Sequence, residues 1–171
     1  MGRTVLRLMG WRMSGEWPNE PKLIVALAPH SSNVDFILSV AVFWGLGLRT
    51  SYLAKHSLFR FPLGYIMRGL GGIPVDRRSP QGMVEQLAEQ FSKREQLVVG
   101  ITPEGTRGAV REWKSGFARI AVRSQVPVLP AIVNYAEKMI YFQPAITTLE
   151  SADDVLEATR VAAQVGSPRT P

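Results

Sequence analysis

Apolar residues along the chain gather in short β-branched runs separated by longer amphipathic stretches. The run Leu23-Ile24-Val25-Ala26-Leu27-Ala28 has the length and composition of a buried strand. Residues 36–48 are almost wholly apolar, long enough for a helix but short of the roughly 20 residues that a bilayer crossing needs. Tyr52-Leu53-Ala54 predicts a second strand, 58–64 an apolar, turn-rich connection, and Ile73-Pro74-Val75 a brief strand after two glycines. Met83, Val84, Leu87 and Phe91 recur at helical spacing within 83–95, which predicts a helix with one face on a core. Residues 97–101 predict the next buried strand, and Trp113 to Phe117 open a helix that carries Ile120, Ala121 and Val122. Residues 126–133 follow as the last strong strand, whose prolines favour an edge or a bulge. A small strand at 139–142, a helix at 152–163 and a frayed tail at 164–171 complete the pattern, and a short strand within 11–15 precedes it. Strands alternating with helices predict an α/β fold.

Composition narrows this picture. A chain of 171 residues, 46% hydrophobic, suits one domain (1–171) that buries roughly 70% of its unfolded surface. The absence of cysteine excludes disulfide frameworks, thiolate zinc sites and cysteine nucleophiles, and is compatible with the cytosol. His30 and His56 are the only histidines, which leaves little for a dedicated metal site. A net charge of +6 and a pI near 10.1 point to a negatively charged partner: a phosphate-bearing substrate, an anionic membrane or a nucleic acid. Nucleic acid fits least, because the cations cluster at strand ends beside acids and form no aromatic-basic stripe. Residues 1–21 form a short N-terminal segment in which Val5, Leu6, Leu8, Met9 and Met13 oppose Arg3 and Arg7 on a helical wheel. It has neither the continuous apolar stretch of a signal peptide nor the length of a membrane span. It suits equally a helix lying on anionic lipid and a terminal helix packed on its own domain.

The candidate chemistry sits where apolar runs stop. His30 falls on the turn from the 23–28 strand to the 36–48 helix, the position at which α/β folds carry active sites. With Ser32 or Asn33 as N-cap, Asp35 lies in the first helical turn, where the helix dipole favours its charge by about 0.3–1 kcal/mol. A carboxylate bonded to one ring nitrogen leaves the other as a proton acceptor, so His30 and Asp35 suit a general base and its orienter. The bland alternative is a histidine that merely occupies a turn. Arg77 and Arg78 leave a glycine-rich turn and strand with guanidinium forks suited to phosphate oxygens. In Thr102-Pro103-Glu104-Gly105-Thr106-Arg107, Glu104 could orient Arg107 toward a phosphate or simply brace a turn, and Lys114 adds a nearby cation. His56, with no acid close in sequence, is expected to be a surface or loop residue.

Four stretches in order, His30-x4-Asp35, Gly72-Ile73-Pro74-Val75-Asp76-Arg77, Thr102-Pro103-Glu104-Gly105-Thr106-Arg107 and Val126-Pro127-Val128-Leu129-Pro130, resemble the blocks of the glycerolipid acyltransferase family, which includes lysophosphatidic acid acyltransferases. The resemblance covers a motif-bearing core of residues 22–133. It implies a mostly parallel or mixed central sheet flanked by helices. It further implies transfer of a fatty acyl group from a coenzyme A or acyl-carrier-protein thioester to the hydroxyl of a lysolipid, a lysophosphatidate-like one, with no cofactor or metal. His30 would be the general base and Asp35 its orienter. Arg77, Glu104, Gly105, Thr106 and Arg107, with Lys114 beside them, would bind the acceptor. Relatives often begin with longer apolar helices, so the short basic segment here implies peripheral attachment to the cytoplasmic face of an anionic membrane. Two rivals remain: a thioesterase in which the same pair activates water, and a lipid-binding protein that keeps the basic surface without turnover.

Overall fold

The 23–28 run becomes the middle of a sheet. The computed structural model describes residues 10–28, 50–69, 71–75, 80–104 and 113–166. Seven strands form there: β1 (Arg12–Ser14), β2 (Lys22–Ala28), β3 (Thr50–Lys55), β4 (Gly72–Val75), β5 (Leu97–Ile101), β6 (Val128–Asn134) and β7 (Met139–Phe142). They pair in the order β1-β7-β6-β2-β5-β3-β4. The β6/β7 pair is antiparallel and the other neighbours are parallel, so the sheet is mixed, with β6, β2, β5, β3 and β4 running in one direction. The described helices are a 3-10 turn (His56–Phe59), α1 (Leu63–Gly69), α2 (Pro80–Lys93), α3 (Gly116–Ser124) and α4 (Ala152–Gly166). None is long and apolar enough to cross a membrane.

Strand alternation divides the core in two. Ile24 and Ala26 of β2, with Val99, Ile73, Val75 and Val128, join Leu87 and Phe91 of α2, Phe117 and Ile120 of α3 and Val155 of α4 on one face. Leu23 and Val25, with Val98, Leu129, Ala131, Ile140 and Phe142, pack with Trp11 on the other. Each large side chain removed from water in this way contributes about 1.5–3 kcal/mol before conformational entropy is counted. Trp17 extends the second cluster by meeting Phe142 edge-on, with ring centroids 5.5 Å apart.

Several expectations change in the folded chain. Residues 58–64 are more than a connection: a 3-10 turn ends at Phe59 and α1 starts at Leu63. Met13, placed on the helical wheel of 1–13, lies in β1 opposite Ile140, whereas residues 1–9 are outside the described residues. The last helix runs on to Gly166, so residues 164–166 belong to it and not to a tail. The proline-bearing strand β6 is not an edge, for it lies between β7 and β2. Pro130 is accommodated because its ring nitrogen and its carbonyl face the β7 side, where its carbonyl still accepts from the Gln143 N–H at 3.0 Å. The missing donor therefore falls just past the last residue of β7, and β2 keeps its pairing with β6.

Candidate active site

One row of five residues from five parallel strands runs across the sheet: Leu129, Val25, Gly100, Tyr52 and Gly72. Counting forward from it locates the candidates in the chain. His30 comes five residues after Val25 and Arg77 five after Gly72, while Glu104 comes four after Gly100 and His56 four after Tyr52. Because these strands run the same way, the ends that lead into all four residues share one edge of the sheet, the edge at which open α/β sheets bind ligands. His30, Asp35, Arg77, Gly105, Thr106 and Arg107 themselves lie outside the described residues.

Two members of the predicted set are described. Glu104 follows Thr102 and Pro103 beyond β5 and is 7% exposed, the one charged side chain buried among the described residues. Burial at that depth is costly for a carboxylate unless hydrogen-bond donors or a cation meet it. Lys114 has an exposed side chain, and its backbone N–H donates to the Pro103 carbonyl at 2.8 Å. That bond clips the two ends of residues 104–113 together beside the end of β5. Trp113, next to it, packs on the core that α2 and α3 share, which anchors the clip.

His56, expected at the surface or in a loop, lies in the connection after β3. It is half-buried at the start of the 3-10 turn, and its Nδ1 is buried without a hydrogen-bond partner. Orphaned buried nitrogens are uncommon enough to mark a residue. Its place just past β3, at the edge expected to carry the site, follows from the strand that precedes it, whereas its burial does not. Tyr52, on the common row, reaches the Met67 carbonyl at 3.4 Å, and burial raises the phenol above its ordinary pKa of 10.0. The fourth resembling stretch, 126–130, contributes no edge residue. Val126, Val128 and Leu129 are buried in the core, so this stretch builds the floor of the sheet. A cleft of about 360 Å³ lined by Ser51, Arg68, Gly71, Glu89 and Arg94 opens elsewhere, toward the starts of β3 and β4.

A family model described as Acyltransferase matches residues 14–134. The chain is 30% identical over 158 residues to human 1-acyl-sn-glycerol-3-phosphate acyltransferase beta, covering 85% of this chain and 55% of that protein. To the 1-acyl-sn-glycerol-3-phosphate acyltransferase of Limnanthes alba it is 27% identical over 118 residues, which cover 66% of this chain and 41% of the relative. It thus spans about half the length of the curated relatives it matches. In fold it is similar to the crystal structure of the 1-acyl-sn-glycerophosphate (LPA) acyltransferase PlsC from Thermotoga maritima, with a TM-score of 0.68 at 18% identity, over 96% of this chain and 74% of that one.

Proposed function

The chain belongs to the acyltransferase family, and on that premise we propose that it moves a fatty acyl group from an acyl thioester to the hydroxyl of a lysophosphatidate-like lysolipid. The observation that carries this reading is the shared edge: the strands leading to His30, Arg77 and Glu104 are parallel and end together. In the reaction His30 takes the proton of the acceptor hydroxyl as its oxygen attacks the thioester carbonyl, and Asp35 stabilises the resulting imidazolium. The tetrahedral intermediate then expels the thiolate, which recovers the proton from His30, leaving an ester and a free thiol. The donor is a coenzyme A or acyl-carrier-protein thioester, and no cofactor enters the scheme. Arg77 and Arg107, with Glu104 holding a guanidinium in place and Gly105, Thr106 and Lys114 alongside, bind the acceptor phosphate. The setting is the cytoplasmic face of an anionic membrane, held peripherally.

Thiol release from a long-chain acyl-coenzyme A, followed with and without lysophosphatidate, tests the scheme. Acceptor-dependent release is expected, and His30→Ala should lower turnover by about a hundred- to ten-thousand-fold while the melting temperature holds. Near-normal turnover in folded His30→Ala removes the general-base assignment. Release that ignores the acceptor would identify a thioesterase, and no release from acyl-coenzyme A or from the same chain on acyl-carrier protein a lipid-binding protein. Arg107→Lys should raise the acceptor KM for lysophosphatidate and spare a neutral lysolipid, because a lysine does not reproduce the planar fork.

A further inference from the structure

Residues 36–75 contain no aspartate or glutamate, yet they include Arg49, Lys55, Arg60 and Arg68. Inside that run the chain turns several large apolar side chains outward. Phe61 is 86% exposed, Tyr65 73% and Ile66 60%, with Leu58 and Leu63 also exposed. The other exposed large hydrophobics among the described residues, Tyr135 and Val161, stand far off in sequence on other elements. Phe61 and Tyr65 meet edge to face with ring centroids 6.4 Å apart, so the surface is continuous. Arg60 and Arg68 are exposed beside it, the Arg68 guanidinium lying 5.7 Å from the centre of the Phe59 ring.

The base of this surface is built, which argues against a merely unpacked segment. A Cβ on Gly64 would stand 2.2 Å from the Phe59 carbonyl oxygen, and one on Gly72 2.7 Å from the Met67 carbonyl oxygen. Both glycines therefore let α1 and the 3-10 turn sit directly on backbone, with the bulky residues left outside. Contiguous apolar surface of this kind marks an interaction site.

We propose that this surface, from Leu58 to Ile66, seats the protein on a bilayer containing anionic lipid, with Phe61, Tyr65 and Ile66 among the acyl chains and Arg60 and Arg68 at the headgroup phosphates. Charge selects this occupant. A symmetric pairing with a second copy would bring the same cations together with no carboxylate from this run to meet them, whereas basic residues flanking an apolar surface are attracted to anionic lipid. The 3-10 turn starts where β3 ends, on the candidate catalytic edge. Seated here, that edge faces the headgroup zone, where the free hydroxyl of a lysolipid lies; this last link rests on the acyl-transfer reading, and the docking itself does not.

Because the chain has no cysteine, single-cysteine labelling tests the proposal without measuring turnover. Phe61→Cys and Tyr65→Cys, and Glu157→Cys on α4 as a distant control, would each carry a polarity-sensitive fluorophore and be titrated with vesicles of phosphatidylcholine with or without phosphatidylglycerol. Emission at 61 and 65 should shift to the blue with the anionic vesicles only, and the control should stay unchanged. Unlabelled Phe61→Ser/Tyr65→Ser/Ile66→Ser, with its melting temperature checked, should lose vesicle binding at least about tenfold. The proposal is overturned if the triple variant binds like wild type, if binding persists with no shift at 61 and 65, as docking through residues 1–9 would give, or if the shift appears without lipid and grows with protein concentration, as self-association would give. Vesicle binding with no acyl transfer would leave this surface standing and defeat the proposed reaction instead.

Discussion

α3 and α1 are both short helices, of 9 and 7 residues, and they treat their apolar side chains in opposite ways. α3 buries Phe117, Ala118, Ile120 and Ala121 and turns Arg119 and Arg123 to solvent, where Arg123 lies 3.4 Å from Glu85 of α2. α1 buries only Gly64 and exposes Leu63, Tyr65 and Ile66. The difference teaches that apolar content does not decide which side of a helix faces the protein. In α3 the polar positions mark the outside at helical spacing. In α1 the contact is made by the residue without a side chain, because only backbone can approach the Phe59 carbonyl so closely, and the large residues are left to face outward.

Paired phenylalanine truncations test this contrast most severely. Phe117→Ala removes a ring that is 2% exposed and should cost about 3–5 kcal/mol, whereas Phe61→Ala, at 86% exposed, should change stability by no more than about 0.5 kcal/mol. Urea denaturation measures both. Equal losses would mean that the turn leading into α1 is as well packed as the inner side of α3.

A methyl group at Gly64 probes the close approach itself. The atom it would strike is backbone and has no rotamer to escape into, so Gly64→Ala should destabilise by about 1–3 kcal/mol. Gly69, at the end of the same helix, has nothing within 4 Å of its missing Cβ, and Gly69→Ala should raise stability by up to about 1 kcal/mol. Opposite signs from one substitution on one helix, read as shifts in melting temperature, would confirm that α1 is held by contact at Gly64; the same sign at both would contradict it.

A modest effect is expected at Tyr52, whose hydroxyl donates to the Met67 carbonyl and so ties α1 to the sheet. At 3.4 Å the bond is long, and Tyr52→Phe should cost no more than about 1 kcal/mol at neutral pH. Burial holds the folded-state pKa above 10.0, so the folded protein keeps a proton that the unfolded chain releases. The phenol's contribution is complete below that value and is lost as pH rises through the folded pKa. Denaturation across the alkaline range should therefore show wild type losing its advantage over Tyr52→Phe, and a constant difference would remove the burial argument.

What could be read in advance followed from periodicity and composition. The 97–101 strand has the bounds expected of it, and the 23–28 strand begins one residue earlier, because continuous β-branched runs are wanted only where a sheet is covered on both faces. α1 escaped notice because Pro62 and Gly64 resemble turn residues and no polar positions recur at helical spacing around it. Pro127 and Pro130 suggested an edge because the side on which a missing N–H falls depends on the partner strand and not on the strand itself. Glu104 was identified by its place in a turn, but its burial and the bond between Lys114 and Pro103 are tertiary facts, as is the half-buried setting of His56. The common edge of β2, β3, β4 and β5 follows from parallel pairing, which no single motif states.

The clip between the Lys114 N–H and the Pro103 carbonyl has an evolutionary consequence. A segment held shut at its base can change length without disturbing the scaffold, since doubling a closed loop costs only about 0.6 kcal/mol. A segment of different length between Pro103 and Trp113–Lys114 would in this sense leave β5 and α3 in their places. Changes of length within such a scaffold are then expected here sooner than in the strands.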